Sequence, residues 1–236
     1  FTVRSHPWSA NQPPAHFTCR APHITTRESK ESPLSAMPDA APTTQPLDRS
    51  RVMTARNAVF VIFALAGLVF ASWASRIADT KEALGLSAGE LGMTLFAASV
   101  GSVTGLPLAG RISQRIGATR AVALGTAVAL SGLLVVGAVV DAGGSRLALA
   151  AGLFLVGLGV GVWDVSMNLE GADVERGLGT AVMPHFHAAF SGGTVGSALI
   201  GAGMSWAGVP LTIHFIGAAA VTVLLSWWAL PKFLPH

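Results

Sequence analysis

Residues 58–77 read AVFVIFALAGLVFASWASRI, a run of twenty residues with a single charge at Arg76. A helix of about 20 apolar residues crosses the hydrocarbon core of a bilayer. Because the helices of a soluble bundle carry a polar face at helical spacing and this run has almost none, it predicts a membrane span. Six such runs follow one another with short connections, at about residues 58–77, 89–109, 121–140, 147–168, 183–206 and 209–230.

The composition agrees with a membrane protein and excludes several other classes. Of the 236 residues, 51% are hydrophobic and 11% are charged, against about 25% charged in ordinary soluble domains. One cysteine excludes a disulfide scaffold. The net charge of +3 comes from scattered loop arginines, so no nucleic-acid-binding face is predicted. Zinc spacing, a P-loop and a dinucleotide fingerprint are all missing from the sequence, so we expect no metal, no cofactor and no enzyme.

The first 52 residues differ from the rest of the chain. They are rich in Pro, Ser, Thr and Ala without apolar periodicity, which predicts a disordered polar tail. The chain opens on Phe, and either Met37 or Met53 is a candidate start. One interpretation is therefore that the tail is not part of the native protein, and the other is that it is a cytoplasmic arm. Residues 53–236 form the predicted six-helix transmembrane domain.

The basic residues of the short loops predict the orientation. Cytoplasmic loops carry an excess of Lys and Arg. The side that holds both termini has eight, which are Arg49, Arg51, Arg56, Arg111, Arg115, Arg120, Arg176 and Lys232. The other side has three, which are Arg76, Lys81 and Arg146. We therefore expect a multi-pass membrane protein with both termini in the cytoplasm, in contact with lipid.

The spans contain an internal repeat. The pattern Leu-x-Gly-Leu followed by Trp occurs at residues 65–73 and again at residues 155–163, an offset of 90 residues. Val-Gly-Ser occurs at 100–102 and at 195–197, an offset of 95. The first span runs outward and the fourth inward, which predicts an all-α fold of two inverted three-helix repeats. Such repeats are typical of secondary transporters.

The loop between the second and third spans carries a family resemblance. Residues 110–120 read GRISQRIGATR and resemble the signature G-x-x-x-D-R-x-G-R-R of the major facilitator superfamily (MFS). The matching positions are Gly110, Arg115 and Gly117, with Arg120 in place of the paired basic residues. Gln114 replaces the acidic residue of the signature.

Three further stretches, SWASRI (72–77), WDVSMN (163–168) and HAAFS (187–191), resemble a bacterial inner-membrane branch near the fucose–proton symporters. Transporters of this superfamily have twelve helices. The resemblance therefore implies that these six are the N-terminal half and that a C-terminal six-helix half is the partner. It also implies secondary transport of a small solute, sugar-like and proton-coupled, with efflux of a drug or metabolite as the alternative within the superfamily.

Two polar residues of the fourth span and one of the fifth are candidates for a proton pathway. Asp164 is an acidic residue inside a predicted span, and Asn168 lies one turn further on the same face. Intramembrane carboxylates are costly and mark ion or proton pathways. His187, at a similar expected depth on the fifth span, is suited to relay a proton. The alternatives are that Asp164 pairs with Arg115 and that His187 is an interfacial residue.

Trp73 and Arg76 share one face at the outer end of the first span. A tryptophan stacks on a sugar ring and an arginine holds anionic or hydroxylated groups, so both are candidates for substrate binding. The alternative is an aromatic belt residue beside an arginine that extends to the interface.

Two functions of other classes fit parts of the sequence. Ser191 in AFSG and His214 in HFIG approach the motifs of intramembrane serine proteases, but the two residues are expected more than one helical turn apart. The third class is a membrane scaffold without transport activity.

Overall fold

The structure is a computed structural model that describes residues 48–235 and consists of helices throughout that range. The helices are α1 (Arg49–Ala74), α2 (Ile77–Ala83), α3 (Ala88–Ile116), α4 (Ala118–Asp141), α5 (Arg146–Leu178), α6 (Met183–Trp206) and α7 (Leu211–Ala229), followed by a 3₁₀ turn at Leu230–Lys232. The six predicted spans correspond to α1 and α3–α7. The short α2 continues from α1 at its outer end.

α1 begins earlier than the apolar run that predicts it. The carboxylate of Asp48 accepts hydrogen bonds from the backbone N–H of Ser50 at 3.1 Å and from its hydroxyl at 2.6 Å. This cap starts the helix at Arg49, and Val52 is already fully buried. The helix therefore begins a few residues before the predicted tail boundary at residue 52, and residues 1–47 lie outside the described range.

α5 extends ten residues beyond its predicted end at 168. The segment expected to be a loop from residue 169 to residue 182 is helical as far as Leu178. Glu170 and Val174 are fully buried on this extension, so contacts with other elements hold the helix together where its own sequence is polar. Besides Asp164, α5 therefore carries three further acidic residues, Glu170, Asp173 and Glu175.

Five of the six long helices are long and apolar enough to cross a membrane, and α6 is not among them. Its 24 residues would reach across a bilayer at 1.5 Å per residue. However, five glycines, three serines, a threonine and two histidines lower its hydropathy. α6 packs closely along α1, and the small residues of α6 make that close approach possible.

The inverted repeat is visible in the contacts between helices. A Cβ added to Gly67 of α1 would lie 2.1 Å from the carbonyl oxygen of Phe190 in α6. A Cβ added to Gly157 of α5 would lie 1.9 Å from the carbonyl oxygen of Ala98 in α3. The pair α1–α6 thus corresponds to the pair α5–α3, with offsets of 90 residues for α1 to α5 and 92 for α3 to α6.

The reciprocal contacts give the same offsets. Gly193 of α6 approaches the carbonyl of Ala64, as Gly101 of α3 approaches the carbonyl of Phe154, with distances from an added Cβ of 2.0 and 2.2 Å. The predicted 95-residue offset between the second and fifth spans is therefore wrong by three residues. Gly196, which that offset pairs with Gly101, has open space around it.

Candidate functional site

Asp164 and Asn168 lie one turn apart on an exposed face of α5. The amide nitrogen of Asn168 donates to the backbone carbonyl of Asp164 at 2.8 Å and contacts its carboxylate oxygen Oδ1 at 3.4 Å. Asp164 is exposed in this six-helix unit, and it lies about 27 Å along α5 from Arg146 at 1.5 Å per residue. In a hydrocarbon core about 30 Å thick, this distance places the carboxylate nearer the end of the bundle where α1 begins than the end where α5 begins.

His187 of α6 is near enough to Asp164 for electrostatic attraction, but no hydrogen bond or ion pair joins the two side chains within residues 48–235. Its Nδ1 is 3.1 Å from the backbone carbonyl oxygen of Met183. A carbonyl oxygen only accepts, so Nδ1 carries the hydrogen, and Nε2 is left with a lone pair that can accept a hydrogen bond. Arg115 makes no ion pair with Asp164 within residues 48–235.

Aromatic rings pack beside the imidazole of His187. The centroid of the Phe63 ring lies 5.3 Å from that of His187 and 5.4 Å from that of Phe186, and Phe60 meets Phe186 edge-on at 4.9 Å. Phe63 and Phe186 are fully buried, so they fix the side of α6 that His187 occupies. Sequence reasoning did not identify this aromatic wall, although Phe60 and Phe63 at i and i+3 on one helix face are its signal.

Glu175 fixes the start of α6, another role that the sequence did not reveal. Its Oε2 accepts from the backbone N–H groups of Val182 and Met183, both at 2.7 Å. Val182, the N-cap residue, offers no capping side chain. The carbonyl oxygen of the same residue, Met183, orients His187, so Glu175 of α5 helps to hold the helix turn that positions His187.

Trp73 and Arg76 lie away from this cluster. Trp73 is ten residues beyond Phe63 on α1, about 15 Å along the helix, and both predicted residues are buried. Arg76 pairs with Asp79 and donates from Nη2 to the carbonyl of Val209 at 2.7 Å. The structure therefore places Arg76 in a network that ties the outer end of α1 to the α6–α7 turn.

The motif residues of the second loop lie at the opposite end of the bundle. Gly117 is the single residue between α3 and α4, with φ of 82°, a conformation that favours glycine. Gly110 is half-buried on α3, whereas Arg115 and Arg120 are exposed on either side of the turn. Beside the motif, the hydroxyls of Ser113 and Ser166 lie 3.0 Å apart and join α3 to α5.

The protease alternative does not fit the geometry. The hydroxyl of Ser191 donates to the backbone carbonyl of His187, and the imidazole of His214 lies near Gly201. Gly201 is ten residues from Ser191, about 15 Å along α6, so the two side chains cannot form a nucleophile–base pair. In residues 48–235 no group of three or more His, Cys, Asp or Glu side chains could hold a metal ion.

Comparisons with known proteins give a consistent result. No family model matches the chain. It is 32% identical over 165 residues, 69% of its length, to an MFS-type transporter of Yersinia pestis. It is also 31% identical over 75% of its length to the transporter y4wD of Sinorhizobium fredii, and 28% identical over 76% to the membrane protein MosC of Rhizobium meliloti.

Among solved structures, the nucleoside transporter NupG superposes over 79% of the chain with a TM-score of 0.60 at 15% identity, a likeness of fold. The chain spans 42%, 48% and 42% of the three relatives' lengths and 44% of NupG. The helices, the repeat and the exposed polar face define a multi-pass α-helical membrane protein. The chain belongs to the major facilitator superfamily, whose members compared here are transporters rather than enzymes.

Proposed function

We propose that this six-helix unit forms the N-terminal half of a proton-coupled transporter of a small, sugar-like solute. The observation that carries the proposal is the Asp164–Asn168–His187 cluster on an exposed face of two long helices. A carboxylate among apolar spans is costly when it faces lipid. This face is therefore suited to line a polar cavity against a second six-helix half.

The proton chemistry follows from the tautomer of His187. With Nδ1–H bound to the carbonyl of Met183, a proton arriving at Nε2 makes an imidazolium that the Asp164 carboxylate attracts across the space between α5 and α6. The pair can therefore hold one proton on either side chain and release it when solvent reaches the cavity.

The solute class follows from the neighbouring groups. The Asn168 amide offers both donors and acceptors and the Asp164 carboxylate offers acceptors, which suits the hydroxyls of a sugar or of the ribose of a nucleoside. The aromatic wall on α1 and α6 supplies an apolar surface beside them. In this proposal the protein lies in a bacterial inner membrane with both termini in the cytoplasm.

The test is uptake into proteoliposomes by the twelve-helix protein that contains this chain, with and without an imposed pH gradient. A panel of sugars and nucleosides is screened with a pH-sensitive dye inside the liposomes. Asp164→Asn should abolish accumulation driven by the pH gradient and preserve exchange of solute down its own gradient, since exchange needs no net proton movement. His187→Ala should shift the pH dependence of uptake and leave some accumulation.

Asp173→Asn is the matched control, because it makes the same change on the same helix at a carboxylate that pairs with Arg176. It should accumulate solute like the unmodified protein. Proton-driven accumulation at the unmodified level in Asp164→Asn would refute the role of Asp164. Uptake by this six-helix chain reconstituted alone would refute its role as one half.

A further inference from the structure

A basic pocket lies at the end of the bundle where α1 and α4 begin and α3 and α7 end. Its volume is about 360 Å³. Its walls are Arg51 of α1, residues 116–120 around the α3–α4 turn (apart from Ala118), and residues 230–235 (apart from Lys232) after α7. We call it the basic pocket.

The two arginines of the basic pocket have no acidic partner. The guanidinium groups of Arg51 and Arg120 make no hydrogen bond or ion pair with any other residue of the range 48–235. The acidic side chains at this end of the bundle already have partners, which are Ser50 for Asp48, the Leu234 amide for Glu170, Arg176 for Asp173 and the start of α6 for Glu175. Within residues 48–235, the basic pocket therefore holds two arginines that lack an ion-pair partner.

The start of α4 adds to this positive potential. Gly117 precedes α4 and has no side chain with which to cap it. In the described part of the chain, the first backbone N–H groups of α4, from Ala118 to Arg120, have no acceptor. Free N–H groups and the helix dipole together favour an anion at this position. The arginines and the helix end thus converge on one pocket.

The remaining walls are apolar. Ile116 is 38% exposed, and Leu230, Phe233 and Leu234 line the opposite side. The pocket lies where apolar spans begin and end, which is the level of lipid headgroups. An anion that enters here from the bilayer carries acyl chains, which the apolar walls accommodate, whereas a soluble anion gains nothing from them.

We propose that the basic pocket binds the phosphodiester of an anionic phospholipid such as phosphatidylglycerol. The phosphate lies between the guanidinium groups of Arg51 and Arg120 and against the free amides of α4. Its glycerol and first acyl carbons contact Ile116 and Leu230. The bound lipid thereby ties the start of α1, the α3–α4 turn and the segment after α7 together.

The test measures lipid selectivity with spin-labelled phosphatidylglycerol and phosphatidylcholine around the 236-residue chain in bilayers. A basic side chain near a membrane surface contributes about 1 kcal/mol to the binding of anionic lipid, or about fivefold. Arg51→Gln/Arg120→Gln should therefore lower the preference for phosphatidylglycerol by about an order of magnitude or more. Arg51→Lys/Arg120→Lys should keep most of it, and circular dichroism reports whether each variant folds.

Arg49→Gln/Arg111→Gln is the charge-matched control, because both arginines are exposed at the same end and neither lines the basic pocket. In 0.5 M salt, where the Debye length is roughly 4 Å, this control should change the preference by less than twofold. If the two Gln variants lost the preference for phosphatidylglycerol equally, the preference would come from general surface charge, and the proposal would be overturned. Displacement of the lipid by excess inorganic phosphate would show a site for a soluble anion and overturn it as well.

Discussion

Replacing Gly157 by Ala tests the close packing of α5 on α3. The added Cβ would lie 1.9 Å from the carbonyl oxygen of Ala98, whereas real Cβ atoms essentially never approach within 3.0 Å. The two helices must therefore separate locally by about 1.1 Å. A gap of 0.5–1 Å forfeits roughly a quarter to a half of the dispersion energy of the atoms that face it. Overpacking of this kind costs about 1–3 kcal/mol.

Gly196→Ala is the matched control, since Gly196 lies inside α6 with open space around it. Both substitutions gain the helix propensity of alanine, about 1 kcal/mol. The difference between the two variants therefore isolates the steric term, and we expect Gly157→Ala to be less stable by about 1–3 kcal/mol. Gly67→Ala, at the equivalent position of the first repeat, should lie close to Gly157→Ala.

The assay is unfolding of the chain by dodecyl sulfate titration in mixed micelles, followed by circular dichroism. Equal free energies of unfolding for Gly157→Ala and Gly196→Ala would show that α3 and α5 are not in backbone contact. A stable Gly67→Ala beside a destabilised Gly157→Ala would contradict the repeat, because the repeat places the same contact in both helix pairs.

Two further predictions concern helix ends. Glu175→Ala removes the oxygen that accepts both hydrogen bonds at the start of α6 and should destabilise the chain by about 1–2 kcal/mol, whereas Glu175→Gln keeps one oxygen and should recover part of this loss in the same titration. Hydrogen bonds from Ser50 hold the pKa of Asp48 below its ordinary value, so this cap stabilises α1 above the unfolded pKa of about 3.9 and loses its effect as the pH falls through the folded pKa. Amide hydrogen exchange in the first turn of α1 should therefore accelerate in acid relative to its intrinsic rate, and Asp48→Ala should show the fast exchange at neutral pH already.

The sequence by itself determined the six long helices. A membrane span is a local property, because about 20 consecutive apolar residues are sufficient to bury it in lipid, and six such runs were readable. The motif at residues 110–120 marked the connection between the second and third spans, but the sequence did not show that Gly117 alone separates α3 from α4. The sequence placed Asp164 and Asn168 on one face, because residues four positions apart in a helix are neighbours on its surface.

Only the tertiary structure decided features that depend on residues far apart in the chain. α5 extends to Leu178, beyond its predicted end at residue 168, because buried Glu170 binds the amide of Leu234. This partner lies 64 positions away, and local apolarity does not reveal it. The 92-residue offset of the second repeat came from backbone contacts, since Gly, Ala and Val occur too often in these spans for a sequence match to fix the register. The partners of Arg76 could not be read from the sequence for the same reason, because they include a carbonyl more than a hundred residues later.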